Sequence, residues 1–93
     1  MRTIERSTQF KRDYKREAKR QQRTTLDTDM LPVLKALVND QELEPHYCDH
    51  PLSGNWKDHR DCHIKPDLVL IYQKPDDETL RLVRLGSHSE LGI

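Results

Sequence analysis

The apolar run Leu68-Val69-Leu70-Ile71-Tyr72 stands between two groups of turn formers, Lys65-Pro66-Asp67 and Lys74-Pro75-Asp76-Asp77. An apolar stretch without alternation, closed by turns at both ends, is the signature of a strand covered on both faces. A chain with such a strand must place material above and below it, and 93 residues suffice for one domain only. Leu, Ile, Val and Phe supply 21 of the 93 residues, and the formal net charge is zero, so the chain sits just on the folding side of the boundary with disorder. Residues 1–93 are therefore expected to form a single domain with little stability in reserve.

The period of the apolar residues changes along the chain. Residues 2–6 alternate weakly and predict a short strand, after which Ser7 or Thr8 is placed to cap a helix reaching about Arg23. Phe10, Tyr14 and Ala18 recur every four residues as one narrow apolar stripe. Thr24-Thr25 and Asp27-Thr28-Asp29 offer caps for a second helix, in which Pro32 is tolerable only within the first turn. Met30, Leu31, Leu34, Leu37 and Val38 form its apolar face, which ends at Asn39-Asp40. Residues 41–54 are polar and read as an extended connection ending at Gly54. From Asn55 the pattern alternates, with Trp56, Cys62 and Ile64 on one side and Lys57, His59, Asp61 and His63 on the other. A last strand is predicted over Thr79 to Leu85. The order strand, two helices, three strands gives an α+β class: two N-terminal helices packed on a largely antiparallel, four-stranded sheet.

Neutrality overall conceals a split, +6 over residues 1–24 against −6 over residues 25–93. Lys11, Arg12, Lys15, Arg16, Lys19, Arg20 and Arg23 crowd the polar half of the first helix. Such a face is either simply solvated or a contact for a polyanion or an acidic partner. Cys48 and Cys62 follow no secretory leader, and no apolar run nears the ~18 residues that cross a bilayer, so a cytoplasmic protein with reduced thiols and no membrane contact is expected. Cys48, His50, Cys62 and His63 match no common zinc spacing, so no metal and no cofactor is expected.

Three histidines and an aspartate stand beside turn or strand signals: His50 before Pro51, His63 and Asp67 around Pro66, and His88 after Gly86-Ser87. A hairpin turning at Pro66 makes His63 and Asp67 neighbours, and a last strand antiparallel to the 68–72 strand returns His88 to the same end. His50 reaches that end only if the 41–54 connection carries it there. His46 and His59 read as surface residues, and each of the four singled out also has an ordinary reading as a loop or turn former. Imidazoles with a carboxylate suit proton transfer. Such a set can cleave RNA without a metal, because the 2′-hydroxyl of the substrate is itself the nucleophile and needs only a base, an acid for the departing 5′-oxygen, and positive charge on the phosphate. Arg84, Lys57 and Arg60 are the candidates for that charge.

The segments His50-Pro51-Leu52-Ser53-Gly54-Asn55-Trp56, Arg60-Asp61-Cys62-His63-Ile64-Lys65-Pro66-Asp67 and Arg84-Leu85-Gly86-Ser87-His88-Ser89-Glu90-Leu91 closely resemble, in order and spacing, the motifs of the YafQ branch of the RelE-like bacterial toxins. The resemblance implies a type II toxin: an endoribonuclease that enters the A site of the 70S ribosome, cuts translated mRNA, and is silenced by a cognate antitoxin. It implies catalytic roles for His50, His63, Asp67 and His88, with His88 as general acid and Asp67 with His50 or His63 on the base side. It also gives the basic helix, through Lys11, Arg12, Lys15, Arg16, Lys19 and Arg20, a role on ribosomal RNA phosphate, on a surface that would equally suit an acidic antitoxin segment. The chain departs from the resemblance in one respect. Family members often carry an aromatic residue behind the last histidine, whereas this chain ends Glu90-Leu91-Gly92-Ile93. The rival expectation is a non-enzymatic inhibitor of the ParE kind, or an inactive homologue, acting by protein binding alone.

Overall fold

Ser7 starts the helical half as expected: its Oγ accepts from the Phe10 N–H at 2.9 Å and donates to the Val83 carbonyl at 2.7 Å, capping a helix while tying it to a strand. The computed structural model describes residues 1–21 and 23–93. The strands are β1 (Thr3–Arg6), β2 (His50–Pro51), β3 (Arg60–Lys65), β4 (Leu68–Asp76) and β5 (Thr79–Gly86). The helices are α1 (Thr8–Gln21), α2 (Arg23–Val38) and α3 (His88–Leu91), and short 3-10 turns at Pro45–Tyr47 and Gly54–Trp56 flank β2. The expected continuation of the first helix across residue 22 lies outside the described residues.

The class is α+β, with a sheet in the order β1-β5-β4-β3-β2. It has five strands where four were expected. The addition is β2, two residues from the stretch read as an extended connection, pairing antiparallel with β3. β1 runs parallel to β5, and the other pairs are antiparallel. The central strand is as predicted: Leu68 through Tyr72 are all buried. Alternation is confined to β3, because a 3-10 turn and the positive φ of Asp58 occupy the residues before it. β4 continues through Pro75 to Asp76, leaving Asp77-Glu78 as the hairpin turn.

One face of the sheet is covered by α1 and α2. Phe10, Ala18, Leu26, Met30, Val33 and Leu37 meet Cys62, Ile64, Leu70, Tyr72, Leu80, Leu82 and Leu85 in the main core. The α1 stripe is wider than its apolar residues indicate, since Asp13 and Glu17 are buried on it as well. Two corrections concern α2. Pro32 is not in the first turn but well inside the helix, because Thr24 through Asp29 are helical rather than capping. A proline there costs about 3 kcal/mol, which burial of Leu26, Met30, Val33 and Leu37 on the opposite side offsets. Leu31, expected on the packed face, is 53% exposed. The other face of the sheet carries a smaller cluster, Val69, Ile71 and Leu91, with Leu52, Trp56 and Val83 packed against it.

Candidate active site

Strand register lays out the second face in rows. His50 pairs with Asp61, Asp61 with Ile71, and Ile71 with Arg84, so one row runs from β2 to β5. Two residues along, His63 pairs with Val69 and Val69 with Gly86. Cross-strand partners share a face, and rows two residues apart lie about 7 Å from each other. The β3–β4 hairpin turn at Pro66-Asp67 closes the end of these rows. His50, His63, Asp67 and His88 are thus brought to one end of one face. His50 arrives not through an irregular loop but as a strand residue beside Asp61.

His88 opens α3, which begins with a reciprocal capping box: the Ser87 hydroxyl accepts from the Glu90 N–H, and the Glu90 carboxylate accepts from the Ser87 N–H. The Ser-x-x-Glu spacing carried this signal in the sequence. The Nδ1 of His88 lies 3.1 Å from Asp67 Oδ1, and this hydrogen bond holds the Asp67 carboxyl below its ordinary range. A carboxylate can only accept, so Nδ1 donates, and Nε2 makes no hydrogen bond among the described residues. The ring of His63 stands edge-on to that of His88, centroids 4.9 Å apart and planes at 74°.

His50 is fixed on both sides. Its Nδ1 donates to the Cys48 carbonyl at 2.7 Å, and its Nε2 lies 3.0 Å from Asp61 Oδ1. That second approach is short but poorly aligned for a hydrogen bond, and Oδ1 is a buried oxygen with no hydrogen-bond partner among the described residues. Burial pushes the Asp61 carboxyl up, while the charges of His50, His63 and His88 pull it down, and the net shift is upward. Asp61 is the site residue that sequence reasoning passed over. Sequence alternation puts it on the His63 side of the strand, and its two-residue spacing from His63 is the available sign. Nearby, Asp49 anchors the strand that delivers His50, accepting from the Tyr72 hydroxyl at 2.5 Å and pairing with Arg60 at 3.3 Å.

Of the three proposed phosphate contacts, Arg84 lies on the site face and pairs with Asp13 at 2.8 Å. Arg60 pairs in register with Tyr72, whose ring belongs to the main core, and so projects from the opposite face. Lys57 is exposed after the second 3-10 turn, and no ion pair involves it among the described residues. On α1, Lys11, Arg12, Lys15 and Lys19 are exposed, whereas Arg16 and Arg20 are engaged with Glu17 and Glu90, Arg16 also with Asp13. Cys62 is buried in the main core, on the side away from His63, which separates the residues of the imagined zinc set. In place of the aromatic residue behind His88, Leu91 packs onto Val69 and Ile71.

A model for the family described as "Bacterial toxin of type II toxin-antitoxin system, YafQ" matches residues 2–92. The mRNA interferase toxin YafQ of Escherichia coli K12 is 39% identical over 90 residues, covering 95% of this chain and 97% of that protein. The crystal structure of YafQ from E. coli BL21(DE3) superposes with a TM-score of 0.84 at 37% identity, covering 98% of each chain. The toxin in the crystal structure of the E. coli DinJ–YafQ complex superposes with a TM-score of 0.83 at 38% identity, again over 98% of each chain.

Proposed function

From the premise that this chain belongs to the YafQ family of type II toxins, we propose that it is an mRNA interferase that cuts translated messages in the A site of the ribosome and is held silent by a cognate antitoxin. The observation that carries the reading is the Asp67–His88 hydrogen bond beside the His63 ring. It orients one imidazole and leaves a second next to it, which is what a two-proton reaction on a phosphodiester requires.

In the proposed reaction His63, which makes no side-chain hydrogen bond among the described residues, takes the proton of the 2′-hydroxyl. The 2′-oxygen attacks phosphorus, the bond to the 5′-oxygen breaks, and His88 Nε2 gives that oxygen its proton. The products are a 2′,3′-cyclic phosphate and a free 5′-hydroxyl. Asp67 keeps Nδ1 of His88 as donor and stabilises the imidazolium before it discharges. The His50–Asp61 pair stands at the far end of the row, and Arg84 at its β5 end supplies the positive charge for the phosphate oxygens. No metal-bound water is needed, because the nucleophile belongs to the substrate.

For the partner, the surface between α1, α2 and β1 is suggestive. Phe10, Leu31 and Leu34 floor a groove rimmed by Lys11, Lys15 and Arg23. An amphipathic antitoxin segment with acidic flanks matches both its apolar floor and its charge. The exposed lysines of α1 remain for ribosomal RNA phosphate, and the toxin is placed in the cytoplasm, where translation occurs. Among the described residues no helix is long and apolar enough to cross a membrane.

Primer extension on a message, with and without ribosomes, tests the reading. Cuts in frame with codons that appear only during translation, and persist under chelation sparing the Mg²⁺ of the ribosome, are expected. Absence of any cut, with growth arrest intact, would favour an inhibitor acting by binding alone.

A further inference from the structure

Asp13 is an acid on the buried stripe of a strongly basic helix, its side chain only 3% exposed. Apart from one contact with Arg16 on its own helix, its polar contacts are all made with the end of β5. Its carboxylate accepts from Arg84 Nε at 2.8 Å and Nη2 at 3.4 Å, from the Leu85 backbone N–H at 3.0 Å, and from Arg16 Nη1 at 3.0 Å. β1 stops pairing with β5 at Leu82, so the outer edge of β5 beyond that point has no strand beside it. The Leu85 N–H faces this edge, and Asp13 satisfies it.

Edge capping alone does not account for the arrangement. One neutral oxygen would serve the Leu85 N–H, yet a full carboxylate is buried here against two guanidinium groups, which carries a desolvation penalty. The second contact is the informative one. Ile71 pairs with Arg84 while the next residue, Tyr72, pairs with Leu82, so Val83 is an extra residue and β5 bulges. Such a bulge turns two successive side chains to one side and is a common means of re-aiming a residue near a site. Val83 accordingly packs with Ile71 in the smaller cluster, and Arg84 emerges on the same face as His50 and Asp61. Asp13 grips the Nε side of the guanidinium. Its Nη1 has no partner among the described residues.

We propose that Asp13 is a positioning residue for RNA cleavage, clamping one side of Arg84 so that the free edge of the guanidinium is presented to the scissile phosphate. This rests on the ribonuclease reading above. An unheld arginine samples many rotamers, and fixing it before the substrate arrives removes that ordering from the reaction. Burial alone would raise the Asp13 carboxyl, but the Arg84 and Leu85 hydrogen bonds and the charges of Arg84 and Arg16 hold it below its ordinary range. The clamp therefore stays ionised at neutral pH.

A double-mutant cycle on single-turnover cleavage of ribosome-bound message tests this, using D13N, R84Q and D13N/R84Q, with H88A as the catalytic control. Asparagine retains an acceptor for the Leu85 N–H and loses the charge that grips Arg84. D13N is expected to slow cleavage about tenfold at saturating ribosomes, with the half-saturating ribosome concentration nearly unchanged, and to have no further effect in the R84Q background. An equal loss in both backgrounds would overturn the proposal, since Asp13 would then act on the fold rather than through Arg84. So would full activity of R84Q while H88A is inactive, an outcome that leaves the ribonuclease reading standing; full activity of H88A would instead defeat that reading. If D13N fails to fold, the Arg84 Nε–H resonance of the wild-type toxin decides. Slow exchange with solvent supports the clamp, and exchange at the rate of a free guanidinium refutes it.

Discussion

The two faces of the sheet are built from the same strands and put to opposite uses. Along β3, Cys62 and Ile64 enter the core beneath α1 and α2, while Asp61 and His63 turn to the other face. The helix-covered face holds most of the buried apolar residues and hence most of the stability. The second face has only a small cluster under α3, and its remaining positions carry imidazoles and carboxylates. A period of two thus lets one strand serve packing and chemistry without either intruding on the other. It follows that mutations on the two faces should separate stability from catalysis.

The sharpest attempt to break that separation pairs H88A with L70A. H88A is expected to lower cleavage on ribosomes by about 10²- to 10⁴-fold, with little change in melting temperature and antitoxin binding retained. L70A, in the main core, should cost about 2–5 kcal/mol of stability, while each molecule that remains folded still cuts. Denaturant titration together with primer extension reads both. A strong loss of stability in H88A would show that the faces are not independent.

Asp61 is where the comparison should bend, because it is buried yet belongs to the chemical face. Its carboxyl titrates above the ordinary value of 3.8 in the folded protein. An acid so shifted weakens the fold once pH rises past the unfolded value, and the penalty grows until the folded value is passed. D61N should therefore raise the melting temperature at pH 7, and the gain should shrink towards zero as pH falls below about 4. Cleavage should fall at the same time, since His50 loses its charged neighbour. A lower melting temperature for D61N at neutral pH would contradict the burial argument.

R60Q sharpens the comparison from the other side. Arg60 emerges opposite the site, so cleavage by R60Q should stay within about twofold of wild type. A large loss would mean that the phosphate path wraps round the edge of the sheet. The smallest effect concerns Asp40, an exposed carboxylate paired with Arg2 and Lys74 and held down to about 2. Its contribution is present above the unfolded value and is lost as pH falls through the folded one. D40N should lower neutral stability slightly, flatten the acid limb of the stability curve between about pH 4 and pH 2, and leave cleavage alone.

Much of this was legible in the sequence. The apolar run of β4 and the turn formers on either side of it marked the two hairpins, although the second turn lies at Asp77-Glu78, beyond Pro75, and the hairpins in turn brought His63, Asp67 and His88 together. Three features were not legible, each for a physical reason. Pro32 reads as a helix start by local rules, and only tertiary burial of the opposite face keeps α2 continuous through it. β2 is too short to carry a pattern, so the pairing of His50 with Asp61 depends on β3 already being in place. Asp13 and Glu17 look like surface charge on a basic helix, since nothing local reveals that the edge of β5 needs an acceptor there.

The central claim is that His88, oriented by Asp67, protonates the departing 5′-oxygen. A translated message carrying sulfur in place of that oxygen at the cut site tests it directly, because a thiolate leaves without an acid. Cleavage of the sulfur-containing message by H88A should approach the wild-type rate, while the normal message stays almost uncut. If H88A is equally impaired on both, His88 is not the acid and the account fails.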